Sequence, residues 1–168
     1  MYANFIFMAI FMGYSIGSAP VVSYHFGAGN RGELKNLFRK SLVLMAGAGA
    51  VLTLVSELLA APLVGVFASY DAELFAMTCR GFRLYCLAFL FMGVNIWGSA
   101  FFTALNNGTV SAAISFLRSL VFETSVVLVL PELLGIDGVW LAVVVAELLA
   151  LIVTAAFLAA KRNQYHYV

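Results

Sequence analysis

Four charged side chains lie inside long apolar stretches of the sequence: Glu57, Arg118, Glu123 and Glu147. A charge placed within membrane hydrocarbon costs about 3 kcal/mol or more unless it faces a cavity or a partner. A carboxylate in such a place can hold a proton or attract a cation, so these residues are candidates for handling an ion or a cationic cargo. The simpler alternative is structural, with Glu147 bonded to a neighbouring helix and Arg118 holding one end of a helical bundle together.

The spacing of these charges indicates which of them can meet. Arg118 and Glu123 are five residues apart, which is about 140° around a helix, so we expect each to have a different partner. At helical rise from the predicted turn after residue 134, Glu123 lies roughly 16 Å deep and Glu147 roughly 12 Å deep. The two carboxylates therefore lie at comparable levels and could face one cavity.

Two strips of polar side chains accompany the charges. Asn95, Ser99 and Thr103 recur every four residues in an otherwise apolar stretch, and Tyr14 and Ser18 form a shorter strip with the same spacing. Such a strip can line a cavity or form hydrogen bonds between packed helices, and both alternatives stay open here. The predicted substrate and ion pathway therefore consists of Glu123, Glu147, Asn95, Ser99, Thr103, Arg118, Tyr14 and Ser18.

Pro20 and a glycine pair lie in the first apolar stretch. Pro20 removes a backbone donor and predicts a kink that could act as a hinge in gating, although packing alone would also explain it. Gly13 and Gly17 form a G-x-x-x-G pair, which predicts close packing of this helix against another.

No pattern in the sequence predicts an enzyme, a cofactor or a metal centre. His25 and His166 are isolated, and no spaced nucleophile, base and acid set is present, so we predict no catalytic residues and no metal ligands. Gly27, Gly29 and Gly32 satisfy the dinucleotide-binding pattern literally, but they follow an apolar span instead of a β-strand. We therefore expect no cofactor.

The composition indicates a membrane protein. Of 168 residues, 64% are hydrophobic and 10% are charged, whereas soluble domains carry about 25% charged residues. The chain thus has too little polar surface for a water-soluble globule, and the lipid bilayer is its expected partner. The formal net charge is +1, so no nucleic-acid partner is indicated.

Apolar runs long enough to cross a bilayer predict an all-α, polytopic membrane helical bundle with five transmembrane helices. Membrane strands are excluded because the runs do not alternate and an open sheet edge cannot lie in lipid. The predicted spans, here called A to E, are residues 1–24, 40–67, 74–105, 110–134 and 139–160. We expect residues 1–168 to form a single transmembrane domain, with residues 31–40 as a short interfacial helix that buries Leu34, Leu37 and Phe38.

The basic residues predict the orientation. They concentrate between spans A and B and in the tail, at Arg31, Lys35, Arg39, Lys40, Lys161 and Arg162. The positive-inside rule then predicts a multi-pass protein of the cell (plasma or inner) membrane with the A–B loop and the C-terminus in the cytoplasm. Arg80 and Arg83 lie near the opposite face, where we expect them to reach the headgroups or to pair with Asp71, Glu73 or Glu132.

Several sequence words resemble one transporter family. Residues 17–20 (GSAP), 24–30 (YHFGAGN), 115–123 (SFLRSLVFE) and 134–142 (LGIDGVWLA) are similar in order and spacing to the second half of multidrug and toxic compound extrusion (MATE) transporters. The resemblance runs over nearly the whole chain.

This resemblance implies twelve helices in two six-helix bundles around a central cavity, which export cationic and often aromatic compounds in exchange for H⁺ or Na⁺. The chain would correspond to the last five of these twelve helices. Its partners would be the missing N-terminal helices of the same transporter. Alone, the chain is not expected to transport. In the sodium-coupled branch of this family an acidic residue lies near the middle of span C, where this chain has Gly93 and Asn95. The resemblance therefore does not imply a sodium site in this chain.

Two alternatives remain at this level. A lipid-linked oligosaccharide flippase of related fold would favour a basic cavity, and Arg118 beside three acidic residues argues against it. A small structural or pore-forming subunit that works as an oligomer stays open because the chain begins with Met.

Overall fold

The computed structural model describes residues 2–68 and 70–167, in which the backbone is helical throughout apart from short connections and no β-strand occurs. The helices are α1 (Tyr2–Gly27), α2 (Arg31–Ala68), α3 (Ala72–Cys86), α4 (Phe89–Ala104), α5 (Gly108–Phe116), α6 (Glu123–Leu134) and α7 (Ile136–Tyr165), with a π-helical segment at Leu117–Phe122 between α5 and α6. The prediction of an all-α helical bundle is confirmed.

Within the described residues, four stretches are long and apolar enough to cross a membrane as single helices: Asn4–Gly27, Arg31–Phe67, Gly108–Leu134 and Ile136–Tyr165. A fifth span requires α3 and α4 to be taken together, and these two helices are bent by 41° relative to each other. By length and composition, the predicted number of five spans is therefore obtained only if α3 and α4 together cross the membrane as one span.

The break between α3 and α4 corrects the prediction that span C is one continuous helix. Around Leu87 and Ala88 the backbone forms tighter bonds to the third residue back, as from the Ala88 N–H to the Tyr85 carbonyl at 3.0 Å. The Cys86 carbonyl instead accepts a hydrogen bond from the Thr53 hydroxyl of α2 at 3.2 Å. A neighbouring helix therefore satisfies a backbone group that the bend frees, as a membrane interior requires.

Helix α4 is the centre of the bundle and contacts α1, α2, α5 and α7. Its buried rings include Trp97 and Phe101, which stack with centroids 4.9 Å apart, and Phe38 of α2 packs on Phe101 at 5.3 Å. Gly93 lies where α1 and α2 both approach α4, because a Cβ there would come within 2.7 Å of the Phe11 ring and 3.1 Å of the Met45 carbonyl oxygen.

The glycine pair of α1 faces open space in the structure. A Cβ built on Gly13 or Gly17 meets nothing within 4 Å in the described part of the chain, and both residues are exposed. Among the described residues no helix packs closely on this G-x-x-x-G pair, so the predicted close contact stays a prediction. Close approaches occur at other glycines, among them Gly93 and Gly98 of α4.

Residues 31–40 are the first ten residues of α2 and continue into span B without interruption. Leu34 is buried and Phe38 joins the aromatic core, as their spacing predicted, whereas Lys35, Arg39 and Lys40 are exposed. The predicted short helix is thus the leading end of a 38-residue helix.

The chain turns at glycine and asparagine residues. Gly29, Asn106 and Gly135 all have positive φ, at 67°, 58° and 61°, and Asn107 caps α5 by accepting a hydrogen bond from the Val110 N–H at 3.2 Å. These residues end α1, α4 and α6, so each connection is short and neighbouring helices run antiparallel.

The end of the chain folds back onto the bundle. After α7, His166 takes a left-handed conformation at φ 55°, and Tyr167 is buried with its hydroxyl donating to the Leu158 carbonyl at 2.7 Å. Burial, followed by the charge of nearby Tyr165, raises the pKa of Tyr167 to about 12. The phenol therefore keeps its proton for this hydrogen bond at neutral pH.

Candidate transport site

A buried ion pair lies at the centre of the predicted pathway. Glu147 of α7 is only 5% exposed, and its Oε1 accepts hydrogen bonds from Arg118 Nε at 2.9 Å and Nη2 at 2.6 Å. Its Oε2 accepts a third from Asn95 Nδ2 of α4 at 2.8 Å, and the same amide donates to the Glu147 carbonyl at 2.9 Å. The Glu147 carboxylate thus links three elements: its own helix α7, helix α4 through Asn95, and the π-helical segment through Arg118.

The position of Arg118 depends on the π-helical segment. Leu117–Phe122 carries Arg118 as its second residue, in the middle of predicted span D. A π-helical turn accommodates one more residue than an α-helical turn and so shifts the direction of the side chains around it. The segment packs against α7, and the Arg118 side chain is 18% exposed beside Glu147.

Arg118 and Glu123 do not pair with each other. Arg118 has its own partner in Glu147, whereas the separate partner expected for Glu123 does not occur among the described residues. Glu123 is the first residue of α6 and is exposed, and no hydrogen bond or ion pair to its carboxylate occurs among residues 2–68 and 70–167. Glu147 is thus turned into the core, whereas Glu123 lies on the surface, and no described cavity is lined by both carboxylates.

Ser99 and Thr103 of the longer polar strip contact α5. The Ser99 hydroxyl lies 2.9 Å from those of Ser111 and Ser115, and the Thr103 hydroxyl donates to Ser111 at 2.7 Å. These bonds form a hydroxyl cluster between α4 and α5. Ser99 and Thr103 therefore form hydrogen bonds between packed helices, which is one of the two alternatives left open by the sequence. Thr103 and Ser115 remain exposed at its edge.

The shorter strip on α1 lies away from the ion pair. The hydroxyls of Tyr14 and Ser41 share a hydrogen bond of 2.8 Å between α1 and α2, and the Ser18 hydroxyl donates to the Ser15 carbonyl of its own helix at 3.2 Å. Pro20 is exposed, and α1 continues through it as one helix to Gly27. The structure does not bring these residues to Glu147.

The two arginines of α3 pair with other carboxylates than those predicted. Arg80 pairs with Asp137 at the start of α7, and Arg83 lies 3.7 Å from Glu57 of α2. The expectation of Asp71, Glu73 or Glu132 considered only residues close in the loops. Helix packing instead brings partners from α2 and α7 to α3.

Several serines that form hydrogen bonds with the predicted residues or between helices were not predicted from the sequence. Ser111 and Ser115 are four residues apart on one face of α5, and this spacing was a signal equal to that of Ser99 and Thr103. Ser41 and Ser23 had no such signal, because their partners lie on other helices. Ser41 bonds to Tyr14 of α1, and the Ser23 hydroxyl donates to the Ala104 carbonyl of α4 at 2.9 Å. In the described part of the chain, no group of three or more His, Cys, Asp or Glu residues could hold a metal ion.

The family assignment agrees with this arrangement. The MatE family model matches residues 1–129, which include α1 to α5, the π-helical segment and the first half of α6. No curated protein and no solved structure matches the chain. Members of this family are transporters and not enzymes. With long apolar helices and this match over most of its length, the chain belongs to the MatE family and is a multi-pass membrane protein of the MATE transporter type.

Proposed function

We propose that the chain serves a secondary active exporter, which moves small cationic or amphipathic compounds across the cell membrane in exchange for H⁺ or Na⁺. The observation that carries this proposal is Glu123, an exposed carboxylate on the same membrane-spanning stretch as Arg118 of the buried ion pair.

The position of Glu123 requires a polar neighbour. An ionised carboxylate facing acyl chains is costly, so such groups face a water-filled hollow or a partner helix. Glu123 finds no partner among the residues that the structure describes. We therefore place the ion or cationic cargo of this transporter beside Glu123.

Glu147 has a different proposed role. Its charge is opposed by Arg118 and its second oxygen is held by Asn95, so an arriving proton or cation would have to compete with a guanidinium 2.6 Å away. We propose that Glu147, Arg118 and Asn95 position the helices behind the site. The pathway residues on α1, Tyr14 and Ser18, and the hinge at Pro20 remain part of the proposal without a contact to this cluster.

Alternating access requires two bundles that move against each other around a central site. We propose that the face of α6 that carries Glu123 points towards the N-terminal helices of the same transporter. The exposed apolar residues of α6 agree with a large uncovered face, and they include Val127, Leu128 and Leu133. An anionic, lipid-linked cargo is less compatible with the site, because its buried arginine is already neutralised by Glu147.

The test is efflux activity, measured as gradient-driven uptake of a fluorescent cation into everted membrane vesicles that contain the intact gene product. Glu123→Gln should reduce gradient-driven transport about tenfold or more, because it removes the charge that attracts the ion. Glu132→Gln is the matched control, since Glu132 is an exposed carboxylate at the other end of α6, and it should change the rate little. Undiminished efflux by Glu123→Gln at normal expression would rule out the proposed role.

A further inference from the structure

One face at the start of α2 lines a surface pocket of about 580 Å³. Lys35 and Arg39 are four residues apart on this face, both exposed, and neither forms an ion pair within residues 2–68 and 70–167. Arg31 lies one turn earlier on the helix, outside this pocket. The nearby acidic residue, Glu33, does not line the pocket and accepts a hydrogen bond from Asn36 at 3.5 Å. The rim of the pocket is therefore cationic.

The polarity of the pocket changes along the helix. Leu42 and Val43 follow Lys35 by about two turns, roughly 12 Å further along the axis, and Val43 is 69% exposed. The rings of Phe38 and Tyr167, with centroids 4.7 Å apart, form the wall beside them. A cationic end at the membrane border thus continues directly into an apolar surface within the span.

We propose that this pocket binds an anionic glycerophospholipid, with Lys35 and Arg39 contacting its phosphate and an acyl chain lying along Leu42 and Val43. Basic residues beside a membrane span attract anionic headgroups. A free phosphate would meet the same two cations but would gain nothing from the apolar surface below them, so the combination of both features favours a lipid. The proposal depends on the membrane placement of α2 and not on the transport cycle.

The charge requirement is tested on the full chain in detergent, titrated with phosphatidylglycerol or phosphatidylcholine and analysed by native mass spectrometry. Lys35→Gln with Arg39→Gln should lower the affinity for phosphatidylglycerol about tenfold and leave that for phosphatidylcholine unchanged. The control, Lys161→Gln with Arg162→Gln, removes the same charge from the C-terminal end of α7, outside the residues that line the pocket. It should lower the affinity for phosphatidylglycerol less than about twofold. An equal loss in both double variants would overturn the proposal, because it would indicate general surface charge.

The source of the phosphate is tested separately. Val43→Ser should weaken phosphatidylglycerol binding, and millimolar inorganic phosphate should not displace the lipid. Displacement by phosphate together with no effect of Val43→Ser would identify a simple anion site and overturn the lipid assignment. The single variants Lys35→Gln and Arg39→Gln should each show part of the loss, so the test stands even if a double variant unfolds, which thermal unfolding in detergent would reveal.

Discussion

At the scale of single residues, Glu147 organises the polar interior. It combines nearly complete burial with three side-chain hydrogen bonds, from Arg118 and Asn95. A buried ion pair does not necessarily stabilise a protein relative to apolar residues, but removal of one partner leaves an uncompensated charge. The pair should therefore be intolerant of single substitutions.

This intolerance can be measured by unfolding in detergent. Arg118→Gln should destabilise the chain by about 3 to 5 kcal/mol, and adding Glu147→Gln should restore part of that loss. Arg83→Gln breaks the exposed pair with Glu57 and should cost less than about 1 kcal/mol. If Arg118→Gln is no more costly than Arg83→Gln, the buried pair does not hold the helices together.

At the scale of helices, α4 packs at the centre because its small residues let neighbours approach. Gly93 admits the Phe11 ring from α1 and the Met45 backbone from α2. The exposed glycines of α1 have no comparable neighbour.

The two glycine environments predict opposite outcomes. Gly93→Ala should destabilise the bundle by about 1 to 3 kcal/mol, because the new methyl group must displace a ring and meets the backbone of Met45. Gly17→Ala should be neutral or stabilising by up to about 1 kcal/mol, because alanine has the better helix propensity and open space around it. Thermal unfolding of both variants in the same detergent compares them directly, and equal destabilisation would contradict the packing at Gly93.

Hydropathy predicted the helices better than their interruptions. The long apolar runs correspond to α1, α2, α7 and the composite of α5 and α6, because a continuous apolar stretch in a membrane has few alternatives to a helix. The break after Cys86 has no proline or glycine to signal it, and the bond from Thr53 that supports it joins residues 33 apart. No local pattern could have predicted it.

At the scale of the whole molecule, orientation remains a prediction from charge distribution. The basic start of α2 and the basic end of α7 should lie in the cytoplasm. The α2–α3 connection should then face outwards.

Cysteine labelling of intact cells tests this orientation. A membrane-impermeant maleimide should react with Tyr70→Cys, an exposed position between α2 and α3, and should reach Gln164→Cys only after permeabilisation. The unsubstituted chain is the control for Cys79 and Cys86, which lie within the bent span. The reverse labelling pattern would invert the topology and place the proposed lipid pocket in the outer leaflet.

The sequence by itself determined that this chain is helical, lies in a membrane and resembles one transporter family. Those properties follow from composition, from the length of apolar runs and from ordered local words, all of which are readable along one dimension. The candidate charged residues were also evident, since a charge is conspicuous in an apolar stretch.

Only the tertiary structure decided which of these charges meet. Glu147 pairs with Arg118 and Asn95 because a π-helical turn redirects one helix and α4 packs between its neighbours, whereas Glu123 stays on the surface. Partner choice depends on the rotation and depth of each helix relative to the others. These are set by packing among residues distant in sequence, which no spacing within a single helix encodes.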